Sequence, residues 1–375
     1  MAILSALAGC LIAPAPAPTE RAEDRLSASP LRAALGAREP VVEPVSVTVI
    51  VTLDGVRWQE VFRGVEPALA ERAGMREREV VGAPELMPNL HWLVRTRGAA
   101  VGAPGSGRID ASGPSFVSLP GYREIFTGRR GDPCHSNDCA RVAEPTLADD
   151  LAQDGDLGEV AVFASWPTVA KAATDGGSPV LVSAGRGKAS HDEPLAQDQE
   201  LAGLKRRGDQ AAPAPGYGSY RPDAYTAALA IGYLRRHQPR LLFVGLGDTD
   251  EHAHHDDYRH YLAALRHADG VIGEIAVHLA SLSAAGTTTA LIVTADHGRA
   301  AHFADHGARW PESSRVWLVA VGDAISSRGT VASPEPRSLA DANATLRRLV
   351  GLPPSGDGQL LAELFAPPSR ALATR

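Results

Sequence analysis

Three observations predict an α/β fold with a mostly parallel central sheet and helices on both faces. Short apolar runs rich in Val and Ile recur along the chain, stretches with helical spacing separate them, and acidic or imidazole groups stand where three of the runs end. Alternating strands and helices imply parallel strands joined by helical crossovers. Sheets of that kind carry their sites beyond the carboxyl ends of the strands.

The elements follow in order. Residues 45–53 (VSVTVIVTL) are β-branched enough for a buried strand. Residues 84–99 (PELMPNLHWLVRTRGA) predict a helix leading to a short strand near Ala100. Residues 159–164 (EVAVFA), 179–183 (PVLVS), 241–246 (LLFVGL), 290–294 (ALIVT) and 316–321 (VWLVAV) supply further strands. Helices are predicted over residues 223–237 and 258–282, the second with Tyr261, Leu262, Leu265, Ile272, Ile275 and Leu279 on one face. A last helix over 337–349 ends at Gly351 and a Pro pair. Residues 185–220 show no period and are expected to be loop.

A chain of 375 residues, 44% hydrophobic and 22% charged, suits a globular enzyme with a sizeable core. Its net charge of −7 argues against a nucleic-acid partner. Leu7-Ala8-Gly9-Cys10 is similar to the lipobox of bacterial lipoproteins, which predicts export, to the periplasm or to a membrane through a lipid anchor at Cys10. Residues 1–44 then divide into a signal-like start and an Ala/Pro-rich tether, 45–366 form the catalytic domain, and 367–375 are a tail. Cys134 and Cys139 are expected to pair in an exported protein; with His135 they would otherwise be half a metal site.

Residues 247–258 (GDTDEHAHHDDY) follow a strand and hold five carboxylates and three histidines. Asp248 with His252, and Asp250 with His254, are each spaced i, i+4, so either pair can meet on one side of a helical turn. Carboxylate and imidazole together make a ligand set for zinc or manganese. Two other strands end at Asp54 and at Asp296-His297.

With these motifs, the chain resembles the alkaline phosphatase superfamily. It lies near the type I phosphodiesterase/nucleotide pyrophosphatase and cofactor-independent phosphoglycerate mutase branches. The resemblance spans roughly residues 45–350. It implies one divalent cation on Asp54, Asp296 and His297 and a second on Asp250, His254 and His306, with His302 the alternative to His306. Zinc is the expected metal, with manganese or magnesium as alternatives. The segment SLPGYREIFTG (118–128) resembles the family's Thr/Ser-x-Pro…Thr-Gly pattern, which makes Ser118 the nucleophile and a metal ligand, over Ser112 and Ser115. Metal contact would stabilise its alkoxide.

The implied activity is hydrolysis of a small-molecule phosphoric ester. The alternatives are transfer of the phosphoserine group to an alcohol, or sulfate-ester hydrolysis; a metal-stabilised binding protein is the non-enzymatic reading. The chain departs from the family in two places. Gly121 stands where nucleotide phosphodiesterases carry Asn, with Asn137 near the place of a phosphate-holding Asn. Arg123 falls one position late for the sulfatase pattern, although Arg123, Arg129 and Arg130 remain candidates for contacting substrate oxygens.

Overall fold

The structure is a computed structural model that describes residues 42–365 apart from 154, 156, 157 and 334. The expectations for Cys10, for residues 1–41 and for the tail lie outside the described residues. The strands are β1 (Val47–Leu53), β2 (Gly98–Val101), β3 (Ile109–Asp110), β4 (Val160–Ala164), β5 (Leu181–Ala184), β6 (Leu241–Leu246), β7 (Thr289–Thr294), β8 (Arg315–Val316), β9 (Leu318–Gly322), β10 (Gly329–Thr330) and β11 (Arg337–Ser338). Eight of them form the main sheet, in the order β10-β2-β9-β7-β1-β6-β4-β5, and β11-β3-β8 form a small second sheet. Within the main sheet only β9 runs against the rest, antiparallel to both β2 and β7. The predicted fold class is therefore the observed one.

β1 sits between β6 and β7, and the register brings their carboxyl ends level. Thr52 pairs with Gly245 on one side and with Thr294 on the other. The residues that leave these three strands, Asp54, Gly247 onward and Ala295 onward, thus emerge side by side. All seven residues of β1 and all six of β6 and of β7 are buried, which is why they read as unbroken apolar runs.

Two groups of helices cover the sheet, with no substantial packing between the groups. Helices Pro88–Thr96, Asp223–His237 and Tyr258–Ala284 belong to one, and Ser118–Thr127, Leu147–Ala152, Val169–Ala173 and Ala340–Leu349 to the other. Among the described residues no helix is long and apolar enough to cross a membrane.

Several expectations needed correction. Residues 316–321 are not one strand, because the chain leaves the small sheet at Val316 and enters the main one at Leu318. The last helix starts at Ala340 rather than 337, where Arg337–Ser338 pair with β3. Residues 199–210, expected as loop, are helical. The Asp198 side chain caps that helix by accepting from the Glu200 and Leu201 backbone N–H groups. Only Leu201 and Gly208 are buried along it, so no apolar stripe marked it in the sequence.

Candidate metal centre

β1 ends in a tight turn at Asp54-Gly55. Gly55 has φ +63°, and a Cβ placed on it would lie 2.3 Å from Asp250 Oδ1. Glycine is thus needed for the backbone conformation and for the approach of the next acidic group. The Gly55 N–H donates to Asp296 Oδ1 (3.1 Å), which ties the ends of β1 and β7 together.

Asp54, Asp296 and His297 are all at most 3% exposed, and each offers a ligand atom within 4.8 Å of the other two. His297 Nε2 stands 3.5 Å from Asp54 Oδ1 and from Asp296 Oδ2. His297 Nδ1 is 2.8 Å from the Gly298 carbonyl, which can only accept, so the proton is on Nδ1 and the Nε2 lone pair faces the carboxylates. Asp296 Oδ2 is buried with no hydrogen-bond partner. Burial, reinforced by the Asp250 charge, raises Asp54 to about 7, and burial with the Asp54 and Asp250 charges pushes Asp296 well above the usual carboxylate range. Burial lowers His297 to about 4. A neutral imidazole, two crowded carboxylates and an orphaned oxygen fit a divalent cation, which relieves the repulsion and gives the free oxygen a partner.

The second cluster lies beside it. Helix Asp248–His254 carries Asp250 and His254 one turn apart, with His254 Nε2 at 3.0 Å from Asp250 Oδ2. His306 Nε2 is 3.1 Å from His254 Nε2 and 3.9 Å from Asp250 Oδ1. Its Nδ1 donates to the Phe116 carbonyl (3.0 Å), which again leaves Nε2 free. Burial, and then the neighbouring His297, lowers His306 to about 3. Asp250, His297 and the half-buried His306 also offer ligand atoms within 4.8 Å of one another, with the His297 and His306 rings stacked 4.0 Å apart. His254 is the exposed member, its side chain 46% accessible against 0% for His297. The two clusters therefore join through His297 and open to solvent on the His254 side.

Ser118 begins helix Ser118–Thr127, and its Oγ lies 3.2 Å from both Asp54 Oδ1 and His297 Nε2. One turn on, the Tyr122 hydroxyl donates to the other Asp54 oxygen at 3.0 Å. Gly121 lets this helix press on the segment that leaves β7, since a Cβ there would be 2.3 Å from the Asp296 carbonyl oxygen. The Leu119 N–H donates to Asn137 Oδ1 (2.9 Å), which places Asn137 at the helix start, on the loop closed by the Cys134–Cys139 disulfide.

All seven residues expected to form the site are thus gathered at one edge of the sheet. The rival candidates are engaged elsewhere. Asp248 accepts from the Tyr220 hydroxyl (2.7 Å), and His252 stacks on His260. His302 pairs with Asp305, and the Ser112 hydroxyl donates to Glu124. Arg123, Arg129 and Arg130 form ion pairs with Asp132, Glu144 and Asp341, and the side chains of Arg129 and Arg130 stay about half exposed. Sequence reasoning missed Tyr122, although its i, i+4 spacing from Ser118 was readable. It also missed Arg299, whose side chain is buried against Asp250.

Residues 224–354 match the model of the Metalloenzyme superfamily. No curated protein sequence matches the chain. Solved structures of similar fold include a Vibrio parahaemolyticus protein in the alkaline phosphatase superfamily. It is 15% identical with TM-score 0.53, and the match covers 84% of this chain and 69% of that one. The phosphonate monoester hydrolase of Agrobacterium radiobacter is 16% identical with TM-score 0.51, covering 85% and 77%. A 2-O GAG sulfatase is 14% identical with TM-score 0.51, covering 84% and 73%. The chain has the fold of the alkaline phosphatase superfamily, with a Metalloenzyme superfamily match running from helix Asp223–His237 to just past the last helix.

Proposed function

We propose that the protein is a metal-dependent phosphoric ester hydrolase with Ser118 as nucleophile. In this reading one divalent cation is held by Asp54, Asp296, His297 and Ser118, and a second by Asp250, His254 and His306. The carrying observation is the position of Ser118 Oγ, equidistant at 3.2 Å from a carboxylate and an imidazole of the buried cluster. Zinc suits this mixture of carboxylate and imidazole ligands. Cations bound there would stabilise the serine alkoxide and offset charge on the transferring phosphoryl oxygens.

The chain's own residues do the rest. Asp54 orients the Ser118 hydroxyl and is in turn held by Tyr122 and by its place at the end of β1. Ser118 Oγ forms a bond to phosphorus as the ester oxygen departs, and water then cleaves the phosphoserine. The exposed edge at His254 is where a small-molecule ester would enter. Asn137 holds the start of the nucleophile helix through Leu119.

Ser118→Ala should retain bound metal yet lose turnover of p-nitrophenyl phosphate by at least ~10³-fold. Near-normal activity in that variant would remove the nucleophile assignment. Sulfate-ester hydrolysis is the second reading, favoured by the sulfatase among the structures of similar fold. Against it, Arg123 is held by Asp132 rather than free for a sulfate oxygen. Rates on p-nitrophenyl phosphate, its bis ester and the sulfate, with zinc, manganese and magnesium in turn, separate these readings. Added alcohols as acceptors test for phosphotransfer.

The Cys134–Cys139 pair supports an oxidising compartment, in line with export and a lipid anchor at Cys10. Lipid labelling that persists after Cys10→Ser would refute that anchor.

A further inference from the structure

One of the two clusters already contains a permanent cation. Arg299 lies two residues past His297, and its side chain is fully buried. Nε donates to the Phe303 carbonyl and Nη2 to the Ala304 carbonyl, each at 2.7 Å, while Nη1 pairs with Asp250 Oδ1. A Cβ on Gly55 would be 2.7 Å from this Nη1, so the guanidinium is packed against the turn that ends β1. A guanidinium does not lose its proton in a protein.

The inner cluster is built differently. Asp54 and Asp296 are both buried there, and Asp296 Oδ2 has no hydrogen-bond partner. Neither carboxylate forms an ion pair with an Arg or Lys side chain among the described residues; each lies 3.5 Å from Nε2 of the neutral His297. With imidazoles neutral, the inner cluster offers two negative charges to one incoming ion. The outer cluster offers one carboxylate that Arg299 already balances. A divalent ion placed on Asp250, His254 and His306 would also face the guanidinium across a buried, poorly screened space.

We propose that the two cation sites are unequal, and that Arg299 makes them so. The site of Asp54, Asp296 and His297 retains its ion. The site of Asp250, His254 and His306 is weak and exchangeable, with Arg299 supplying fixed positive charge beside it. This rests on the two-cation reading above and adds a residue that sets how the second site fills.

The test is metal stoichiometry, which does not depend on turnover. Full-length protein loaded with zinc is dialysed against metal-free buffer and its zinc per chain is measured, followed by calorimetric titration with zinc. The expected result is about one ion retained, with the second binding at least ~100-fold more weakly. Arg299→Gln should tighten the second site by ~10-fold or more, while Arg299→Lys, which keeps the charge, should leave it weak. If Arg299 only braced the loop that carries His306, the Gln variant would shift in the opposite direction, toward weaker binding, and the proposal would fall. Two ions of equal affinity in the wild-type protein would overturn it too, whatever the variants do, and would leave the two-cation reading intact. Protein that binds no zinc would instead remove that reading, and this inference with it.

Discussion

Gly121 stands three residues past Ser118 and faces the backbone of Asp296, so helix Ser118–Thr127 and the segment that leaves β7 meet where no side chain intervenes. The absence of a Cβ sets how near Ser118 comes to the buried cluster. Gly121→Ala would place a methyl carbon 2.3 Å from the Asp296 carbonyl oxygen, a backbone atom that cannot swing aside. The helix would have to move, at a cost of about 1–3 kcal/mol. The variant should fold, melt at lower temperature, and lose more activity than its stability loss explains. Unchanged kinetics would show that the helix position does not control the serine. At the same scale, Tyr122 shares Asp54 with Ser118, which explains a buried phenol one turn beyond a predicted nucleophile.

At the scale of elements, the loop closed by Cys134 and Cys139 stands out because it is short and lies against the start of helix Ser118–Thr127. The bridge spans five positions in sequence. A loop that small contributes little to global stability, about 2 kcal/mol or less by loop entropy. Its larger effect is local, since Asn137 sits inside it and accepts the Leu119 N–H. The double variant Cys134→Ser/Cys139→Ser should therefore show a modest fall in melting temperature and a several-fold fall in kcat/KM. Equal activity with and without the bridge would separate the loop from the chemistry. The stretch from Gly298 to Gly307 is a second such element. Phe303, buried against Tyr258 and Tyr261 at 5.0 and 4.8 Å between ring centres, pins it between His297 and His306.

Over the whole molecule, the site is a property of the sheet. β6, β1 and β7 deliver their last residues at one level, and the charged groups beyond them repel one another unless something positive lies between. Cation binding should then be coupled to folding, because the unfolded chain does not hold these groups together. Saturating zinc at ~1,000 times its dissociation constant adds about 4 kcal/mol, a rise of roughly 5–10 °C in melting temperature. Removal of metal with a chelator should reverse the shift, and returned zinc should restore it. A melting temperature indifferent to both would argue that the clusters bind no ion.

By itself the sequence determined the alternation of strands and helices, the three strand ends that carry Asp54, the acidic and histidine run from Asp248 to Asp257, and Asp296-His297, and two pairs spaced i, i+4, Asp248 with His252 and Asp250 with His254. Those are local properties, set by burial on both sheet faces and by helical pitch, and they survive in one dimension. The resemblance chose Asp250 with His254 and added Ser118 and His306. Tertiary structure alone decided the reversed direction of β9, the engagement of Arg123, Arg129 and Arg130 in ion pairs, and the seating of Arg299 on Asp250. An exposed Arg and a buried one look the same in sequence. Which carboxylate each meets depends on segments far apart in the chain, 49 residues in the case of Arg299 and Asp250, being folded against each other.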